Sequence, residues 1–400
     1  MVGVRQAVFL VGGKGTRLGS LTKDTPKPLL EIAPGLRFLD VVLEEAARQG
    51  FTDILLLAGH LGDQVEAAYQ GKRIYDATVR VLREPEPQGT GGALRFAADH
   101  LAPQFLMGNG DSLFEINLRA LARPLDQTVQ ARLALRTVPD PVRYGSVVLE
   151  GSRIVRFLEK SPVMAGPAPI NGGLYFMRRD VLGLIDGPCS IEQDVFPKLA
   201  ATDALEGLPF DGYFLDMGLP DTYAQAQAEV PQRRLKPCAF LDRDGTINVD
   251  DGYTHKPEDL RFVPGAPEAI RLLNEAGYYV IVVTNQAGVA RGLYPEEQIG
   301  VFHAAMADAL ADHGAHIDAF YHCPFHEAGM VERYRIADHP DRKPNPGMIV
   351  RAMHEWPIRR EGSFLIGDNQ SDRNAAAAAG IDGHLFEGGD LAVFVRRILA

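Results

Sequence analysis

Residues 240–248 read FLDRDGTIN, and this stretch decides the fold of the second half of the chain. The apolar residues just before it predict a short buried strand, with Asp242 at the carboxyl end, where open α/β sheets bind ligands. Asp242 and Asp244 are two residues apart, so both carboxylates can face one side, and Gly245 lets the chain turn sharply. One carboxylate can attack while the other transfers protons. Taken alone, the pair could also be a helix cap or a turn.

Three later segments supply partners for this pair. A β-branched strand is followed by Thr284 and Asn285, a hydroxyl and an amide suited to phosphate oxygens. Lys343 stands in RKPNPG, where prolines stiffen the loop around a cation. A third strand ends before Asp368, with Asp372 four residues later, and such oxygen ligands suit Mg²⁺. Individually, Thr284 could be a cap and Lys343 a solvated surface lysine.

In this order the residues resemble the haloacid dehalogenase phosphatase superfamily, whose fold here is a capless, doubly wound α/β domain. The resemblance implies that Asp242 is a nucleophile that forms an aspartyl-phosphate and that Asp244 is the general acid and base. It also implies Mg²⁺ held by Asp242, Asp368 and the backbone carbonyl of Asp244. Thr284 and Lys343 would bind the phosphoryl oxygens.

Longer stretches narrow the resemblance. FLDRDGTINVDDGYTHKPEDLRFVPGA, VVTNQAGVARGLY and RKPNPGM are similar to D-glycero-D-manno-heptose 1,7-bisphosphate 7-phosphatases over almost all of residues 237–400. Histidinol-phosphate phosphatases are close to that family, but TNQAGVARG fits the heptose enzymes better. Asn285, Arg291, Arg342 and Lys343 become candidate substrate contacts, since arginine binds phosphate bidentately.

One loop departs from this family. The heptose phosphatases commonly hold a structural zinc with a Cys-x-His pair and a later Cys-x-Cys. Here Phe325 stands where the first histidine ligand is expected, and His339 and Asp341 replace the two later cysteines. Cys323, His326, His339 and Asp341 could still form a tetrahedral zinc set. The alternative is a metal-free loop in which Phe325 takes over the packing.

A second, independent signature lies near the start of the chain. Residues 6–11 predict a strand that runs into the glycine-rich loop GGKGTRL. Glycines let backbone N–H groups approach phosphates, and an arginine adds a fixed cationic fork. This loop matches neither a Walker loop nor a dinucleotide fingerprint.

Downstream segments complete this signature. Lys27 lies between two prolines, and QGTGG at residues 88–92 forms a second glycine-rich loop that can approach a base. Two further strands lead into Asp111 and Asp216, which are candidate Mg²⁺ ligands. Either aspartate alone would more often be a turn residue.

Together these segments resemble the sugar-phosphate nucleotidyltransferases over roughly residues 5–230. The resemblance implies in-line attack by a sugar 1-phosphate on the α-phosphate of a nucleoside triphosphate, with release of pyrophosphate. Arg17 and Lys27 would be catalytic, and Mg²⁺ would lie at Asp111 and Asp216. The implied nucleotide contacts are Gly12, Gly13, Gly15, Thr16, Arg17, Lys27, Gln88, Gly89, Thr90 and Asn109. The implied sugar-phosphate contacts are Gly145, Glu159, Lys160, Asn171 and Gly172.

Each of these contacts has a structural alternative. Glu159 and Lys160 could be a solvated strand end, and Gly172 with Gly173 a bulge. The run Ser190-Ile-Glu-Gln fits a helix capping box, and we interpret it as structural.

Context links the two signatures. The glycine loop is shared by uridylyl, thymidylyl and guanylyl transferases, so the base is open from the residues alone. A 7-phosphatase acting on heptose 1,7-bisphosphate would yield heptose 1-phosphate, an acceptor for the transferase. The N-terminal half resembles D-glycero-α-D-manno-heptose 1-phosphate guanylyltransferases, which favours GTP. The alternatives are a hexose 1-phosphate transferase fused to a phosphatase of different substrate, or one inactive domain that serves as a binding module.

Composition describes a soluble chain with room for two domains. The two resemblances imply that both are doubly wound α/β domains, the first Rossmann-like at 1–231 and the second HAD-like at 237–400. The chain has 400 residues, of which 46% are hydrophobic, and the basic, proline-bounded residues 231–237 predict a linker. A net charge of −11 argues against nucleic-acid partners, so small phosphorylated substrates are expected. Three cysteines give no disulfide framework, and no apolar run predicts a membrane segment. The expected location is the cytoplasm.

Overall fold

The computed structural model describes residues 3–139, 145–158 and 166–400, and the chain divides into two compact units, Val4–Gln232 and Arg233–Ala400. The predicted linker starts too early. Helix α6 (Pro220–Arg233) continues through Pro231 instead of ending before it. Ala226 and Val230 are fully buried on this helix, and tertiary packing of such a face supplies most of the stability of a helix, so the helix tolerates the donor lost at the proline.

The N-terminal unit alternates strands and helices in its first half and is β-rich in its second. Its strands are β1 (Gln6–Leu10), β2 (Glu31–Ala33), β3 (Leu36–Arg37), β4 (Asp53–Ala58), β5 (Arg73–Ile74), β6 (Ala77–Arg83), β7 (Gln104–Asn109), β8 (Ser112–Phe114), β9 (Ala131–Val138), β10 (Ser146–Glu150), β11 (Arg153–Leu158), β12 (Ala168–Arg178), β13 (Leu205–Pro209) and β14 (Phe214–Asp216). Its other helices are α1 (Phe38–Arg48), α2 (Gly62–Tyr69), α3 (Gly89–Phe96), α4 (Leu118–Leu121) and α5 (Phe196–Ala201).

Ten of these strands form one mixed sheet in the order β10-β11-β13-β9-β12-β7-β1-β4-β6-β5. The strands β7, β1, β4 and β6 are parallel, whereas β12 joins β7 antiparallel. After β1 the chain adds β4 on one side of β1, and it later adds β7 on the other side. Ligands of open α/β sheets bind at such a reversal, outside the carboxyl ends of the strands.

The C-terminal unit is a parallel five-stranded sheet in the order β17-β16-β15-β18-β19. The strands are β15 (Cys238–Leu241), β16 (Tyr279–Asn285), β17 (Ala319–Cys323), β18 (Phe364–Gly367) and β19 (Asp382–Leu385). The helices are α7 (Ala266–Glu275), α8 (Ala287–Ala290), α9 (Glu297–Asp312), α10 (Gly347–Glu355), α11 (Gln370–Ala379) and α12 (Leu391–Leu399). The order reverses at β15, so the carboxyl ends of β15 and β18 form the expected ligand edge.

Both central sheets are covered on both faces. Successive residues of a strand point to opposite faces, and Ala239 and Leu241 of β15 pack in one buried cluster while Cys238 and Phe240 pack in another. The predicted doubly wound α/β class is confirmed for both halves, with an antiparallel extension in the first. Among the residues described, no helix has the length and apolar character needed to cross a bilayer.

Candidate active sites

The glycine-rich loop after β1 lines a cavity of about 220 Å³, together with Lys27, Asp111 and Gly218. Gly13, Gly15, Thr16 and Arg17 all contribute to its wall. Gly15 has a φ of 60°, a left-handed conformation that glycine adopts without strain. At Gly12 a side chain would place its Cβ 2.9 Å from the backbone nitrogen of Gly59, so only glycine lets these two loops touch.

Lys27 and two aspartates form the charged floor of this cavity. The pairing of β14 with β8 places Asp216 beside Ser112, next in sequence to Asp111. The Lys27 ammonium lies 2.6 Å from Asp111 and 3.6 Å from Asp216. Burial raises the pKa of Asp216, the charge of Asp111 raises it further, and Lys27 opposes both. Lys27 thus supplies a cation between these carboxylates, and carboxylate oxygens are ligands that Mg²⁺ accepts.

An adjoining cavity of about 420 Å³ is lined by the second glycine loop, through Gln88, Gly89 and Thr90, and by Asn109 and Asp111. The glycines of this loop have a packing role as well. A Cβ at Gly89 would lie 2.4 Å from the carbonyl oxygen of Cys189, and one at Gly91 would lie 2.4 Å from its sulfur. The segment that contains Cys189 therefore packs directly on the second glycine loop.

The same cavity has two acidic side chains that the sequence did not single out for chemistry, Glu84 and Glu192. Burial raises the pKa of Glu84, and the backbone N–H of Gln88 opposes the shift by donating to its carboxylate. Ser190 caps the short helix after it, as predicted, with its hydroxyl accepting from the backbone N–H of Gln193 at 3.2 Å. Because the capping pattern accounts for this segment, the sequence did not indicate that the neighbouring Glu192 lines the cavity.

The predicted sugar-phosphate contacts are only partly described. The backbone N–H of Asn171 donates to the carbonyl of Gly145 at 2.8 Å, so these two lie together. The strand register shifts between Asn171 and Tyr175, around the position of the bulge predicted at Gly172 and Gly173. A Cβ at Gly172 would lie 2.6 Å from the ring of Phe114. The predicted contacts at positions 159 and 160 lie outside the described residues.

In the C-terminal unit, four charged side chains meet where β15 and β18 end. The ammonium of Lys343 lies 2.8 Å from Asp242 and 2.6 Å from Asp372, and its side chain is 2% exposed. Candidate ligand atoms of Asp242, Asp368 and Asp372 lie within 4.8 Å of one another. This is a hard-oxygen set of the kind that holds Mg²⁺.

Burial sets the electrostatics of this cluster. It raises the pKa of Asp242 to about 7, with Asp372 adding to the effect and Lys343 opposing it. Burial also raises the pKa of Asp368, as does the charge of Asp372. Burial opposes the charge of Lys343, but the two carboxylates outweigh it and raise the Lys343 pKa. The lysine therefore stays cationic where a phosphoryl group would need it.

Asp244 lies apart from that cluster, in a network of donors. Arg243 binds its two oxygens through Nε and Nη2 at 3.0 and 2.8 Å. Asn248 donates to one oxygen at 3.0 Å and Gln286 to the other at 2.8 Å. With both side-chain oxygens engaged, a contribution of Asp244 to a metal would come from its backbone carbonyl, as the resemblance implies.

The other predicted phosphatase residues are two side chains that hold neighbouring groups and two arginines, one exposed and one half-buried. The Thr284 hydroxyl accepts from the Gln286 amide at 2.8 Å. Asn285 donates to the Lys343 carbonyl at 3.0 Å and accepts from its N–H at 3.1 Å, which fixes the lysine loop. Burial lowers the pKa of Arg342, and the positive charge of Arg291 acts in the same direction. Arg342 is half-buried, and Arg291 is exposed.

The candidate zinc residues do not converge into a tetrahedral set. Within the described residues, the only metal-competent group of histidine, cysteine and carboxylate ligands is the aspartate cluster above. The Cys323 sulfur lies 4.0 Å from His339, whose Nδ1 accepts from the N–H of Asp341 at 3.1 Å. The Asp341 carboxylate instead pairs with Arg351 at 2.6 Å.

A ring stack occupies the centre of this loop. The Phe325 ring stacks on His339 at 4.0 Å and 13°. His326 accepts the backbone N–H of Ala328 through its Nδ1 at 3.0 Å. These contacts hold the loop with side chains that the family pattern would use for metal binding, so the residues present do not fit zinc in this arrangement.

Comparison with known proteins identifies a family for each half of the chain. The nucleotidyl transferase family model matches residues 6–233, and a HAD-hydrolase-like model matches residues 341–392. The D-glycero-beta-D-manno-heptose-1,7-bisphosphate 7-phosphatase of Rhodopseudomonas palustris is 50% identical over 173 residues, which are 43% of this chain and 93% of that protein. The Escherichia coli K12 enzyme of the same name is 42% identical over 146 residues, 36% of this chain and 75% of that protein.

Solved structures resemble the first half. HddC from Yersinia pseudotuberculosis is 29% identical with a TM-score of 0.51, and the match covers 57% of this chain and all of HddC. HddC has also been solved in complex with GMP-PN, with a TM-score of 0.50 to this chain. The resemblances predicted for the two halves are confirmed.

Proposed function

We propose that this chain is a bifunctional enzyme. Its N-terminal half belongs to the nucleotidyl transferase family, and its C-terminal half belongs to the heptose-1,7-bisphosphate 7-phosphatase family. It removes the 7-phosphate of D-glycero-D-manno-heptose 1,7-bisphosphate and transfers a nucleotidyl group to heptose 1-phosphate, releasing pyrophosphate. The observation that carries the proposal is that each half retains a charged cluster at the ligand edge of its own sheet. The product of the first reaction is the acceptor of the second.

In the phosphatase, the Asp242 carboxylate attacks the phosphorus and forms an aspartyl-phosphate, while Asp244 gives its proton to the departing sugar oxygen. Asp244 then takes a proton from water, which attacks the phosphorus and frees Asp242. Lys343 offsets the phosphoryl charge at both stages. Arg291 and Arg342 are proposed to bind the rest of the substrate. Mg²⁺ held by Asp242, Asp368 and the Asp244 carbonyl would supply further charge neutralisation.

In the transferase, an oxygen of the sugar phosphate attacks the α-phosphorus in line with the departing pyrophosphate. Arg17 and Lys27 neutralise the charge that develops on the phosphates, and the glycine loops position the nucleotide. Asp111 and Asp216 would hold Mg²⁺, which would supply further neutralisation of the phosphate charge. Asn171 is proposed to contact the sugar phosphate.

The position of Glu84 supports the choice of GTP as the nucleotide. Its carboxylate lines the cavity beside the Gln88 loop that is expected to approach the base. Guanine presents two adjacent donors, N1–H and the 2-amino group, and a carboxylate can accept both. Uracil and thymine present one N–H between two carbonyl oxygens, which a carboxylate repels. Glu84→Gln should therefore reduce the preference for GTP over UTP and dTTP, and an unchanged preference would contradict this role.

Both substrates are small phosphorylated molecules, and no nucleic-acid or membrane partner is needed for either reaction. The cytoplasm supplies nucleoside triphosphates and Mg²⁺, and the cysteines of the chain are free thiols. These points support a cytoplasmic reaction.

A coupled assay tests the proposal. With Mg²⁺, heptose 1,7-bisphosphate and GTP should give phosphate, pyrophosphate and GDP-heptose. Asp242→Asn should stop phosphate release but leave transfer to supplied heptose 1-phosphate, and Asp111→Asn should do the opposite. Asp382→Asn, at an exposed position outside both sites, is the matched control. Absence of phosphate release from the bisphosphate by the unaltered enzyme would refute the heptose assignment.

A further inference from the structure

A short segment at residues 189–192 runs beside the second glycine loop of the transferase, residues 88–92. The backbone N–H of Cys189 donates to the Gln88 carbonyl at 2.9 Å, and the Gly91 N–H donates to the Cys189 carbonyl at 2.9 Å. The Ile191 N–H donates to the Thr90 hydroxyl at 2.8 Å. These three bonds fix where the next residue, Glu192, can place its side chain.

Glu192 uses its two carboxylate oxygens unequally. Oε2 accepts from the hydroxyls of Thr90 and Ser190, each at 2.9 Å. Oε1 accepts from the Tyr175 hydroxyl at the longer distance of 3.4 Å. In the portion of the chain that the structure describes, this is the one bond to Oε1. A carboxylate oxygen can accept two, so Oε1 keeps capacity for a donor that enters the cavity.

Tyr175 connects this carboxylate to the sugar side of the site. Its side chain is fully buried, and burial followed by the charge of Glu192 raises the tyrosine pKa well above its usual value, which keeps the hydroxyl protonated. The hydroxyl accepts from the Asn171 amide at 2.9 Å, and Asn171 in turn accepts from the Gly173 N–H at 2.9 Å. A continuous chain of hydrogen bonds thus runs from Thr90 to Asn171.

We propose that Glu192 is a specificity-determining residue of the transferase, and that its Oε1 accepts a hydrogen bond from a hydroxyl group of the acceptor sugar. The inference rests on the nucleotidyl transfer proposed above. A carboxylate repels the phosphate groups of both substrates, so the group it attracts is a neutral donor. Sugar hydroxyls are such donors, and the connection to Asn171 places Glu192 on the acceptor side.

The test compares Glu192→Gln with the unaltered enzyme. The amide keeps the shape, and its oxygen can still accept from Thr90 and Ser190, but its NH₂ then takes the place of Oε1 and cannot accept from the sugar. We expect the KM for heptose 1-phosphate to rise about 10–100-fold, the range for a bond to a charged acceptor. The KM for GTP should stay within about threefold, and kcat should fall little, because uniform binding is lost. Glu150→Gln makes the same change at an exposed position on β10 and should alter neither KM.

Acceptor analogues that each lack one hydroxyl sharpen the test. With the unaltered enzyme, removal of the hydroxyl that Glu192 binds should weaken the acceptor by about the same factor as the substitution. With Glu192→Gln the same removal should cost little more, because the two changes delete one interaction. A rise in the KM for GTP instead, with loss of discrimination against 2′-deoxy-GTP, would assign Glu192 to the ribose and overturn the proposal. An unchanged KM for both substrates would also overturn it.

Calorimetry separates this inference from the proposed function. Binding of heptose 1-phosphate to the intact enzyme with a non-hydrolysable GTP analogue requires no turnover. Acceptor affinity that falls on Glu192→Gln supports the inference even if no transfer is detected, a result that would contradict only the proposed function. Transfer with unchanged acceptor affinity would contradict only the inference. If Glu192→Gln does not bind the analogue, Glu192→Asp keeps the charge with shorter reach and should show the same loss of acceptor affinity.

Discussion

Replacement of Lys343 by methionine should destabilise the phosphatase unit more than most single substitutions. The ammonium pairs with Asp242 and Asp372, and the Asp372 side chain is fully buried. Removal of the cation leaves two buried carboxylates facing each other, and breaking a buried pair in this way costs about 3–5 kcal/mol. For a unit of this size, that corresponds to a melting temperature lowered by about 6–20 °C.

The double substitution Lys343→Met with Asp372→Asn is the informative control. It removes one charge of each sign. It should therefore recover a large part of the lost unfolding free energy, even though it differs more from the natural sequence. The single variant should also become more stable as the pH falls from 8 to 6.5. Its folded state holds a carboxyl group with a raised pKa and binds a proton that the unfolded state does not, so protonation favours folding.

The sequence supplies a convenient probe for this measurement. The chain has one tryptophan, Trp356, which lies in the C-terminal unit and is buried. Its fluorescence during urea or thermal unfolding, in buffer without Mg²⁺, reports on that unit. A Lys343→Met variant within about 1 kcal/mol of the unaltered protein at pH 8 would refute the reasoning, as would a double variant no more stable than the single one.

Three further predictions concern other features. Burial and then the charge of Arg243 lower the pKa of His303 to about 2, so only the unfolded state binds this proton between pH 6.5 and 2. From pH 7.5 to 5 this histidine by itself should cost the phosphatase unit about 2 kcal/mol, opposite in sign to the proton uptake of folded Asp242. His303→Phe should reduce that loss in unfolding experiments. Gly89→Ala should weaken GTP binding at least about tenfold by calorimetry while phosphate release persists, because φ is 73° and a Cβ would meet Cys189. Dialysis against EDTA should stop both reactions, Mg²⁺ alone should restore them, and elemental analysis should find no zinc.

The sequence predicted the positions that backbone geometry controls. A strand was expected at residues 6–11 and β1 lies at Gln6–Leu10, because a short apolar run that ends in glycines favours a buried strand. Asp242 and Asp368 were expected at strand ends and lie beyond β15 and β18. Parallel strands bring their carboxyl ends to one edge, so sequence positions far apart could be assigned to one site.

Side-chain networks were harder to predict. Gln286 follows two predicted site residues, yet nothing in its type indicates that its amide holds both Asp244 and Thr284. Glu192 lies in a capping pattern that accounts for the residues around it, so no signal was left to assign to chemistry. Such roles depend on which side chains meet in three dimensions, and one amide or carboxylate can serve many neighbours.

The stack of Phe325 on His339 has a consequence for oxidative stress. A zinc site built on cysteine thiolates loses its metal when an oxidant attacks the sulfur, and the loop it held loosens with it. In this loop a single cysteine remains, and burial raises the pKa of Cys323, so it stays a poorly reactive thiol. Peroxide at concentrations that release zinc from thiolate sites should therefore leave this loop intact and the phosphatase active.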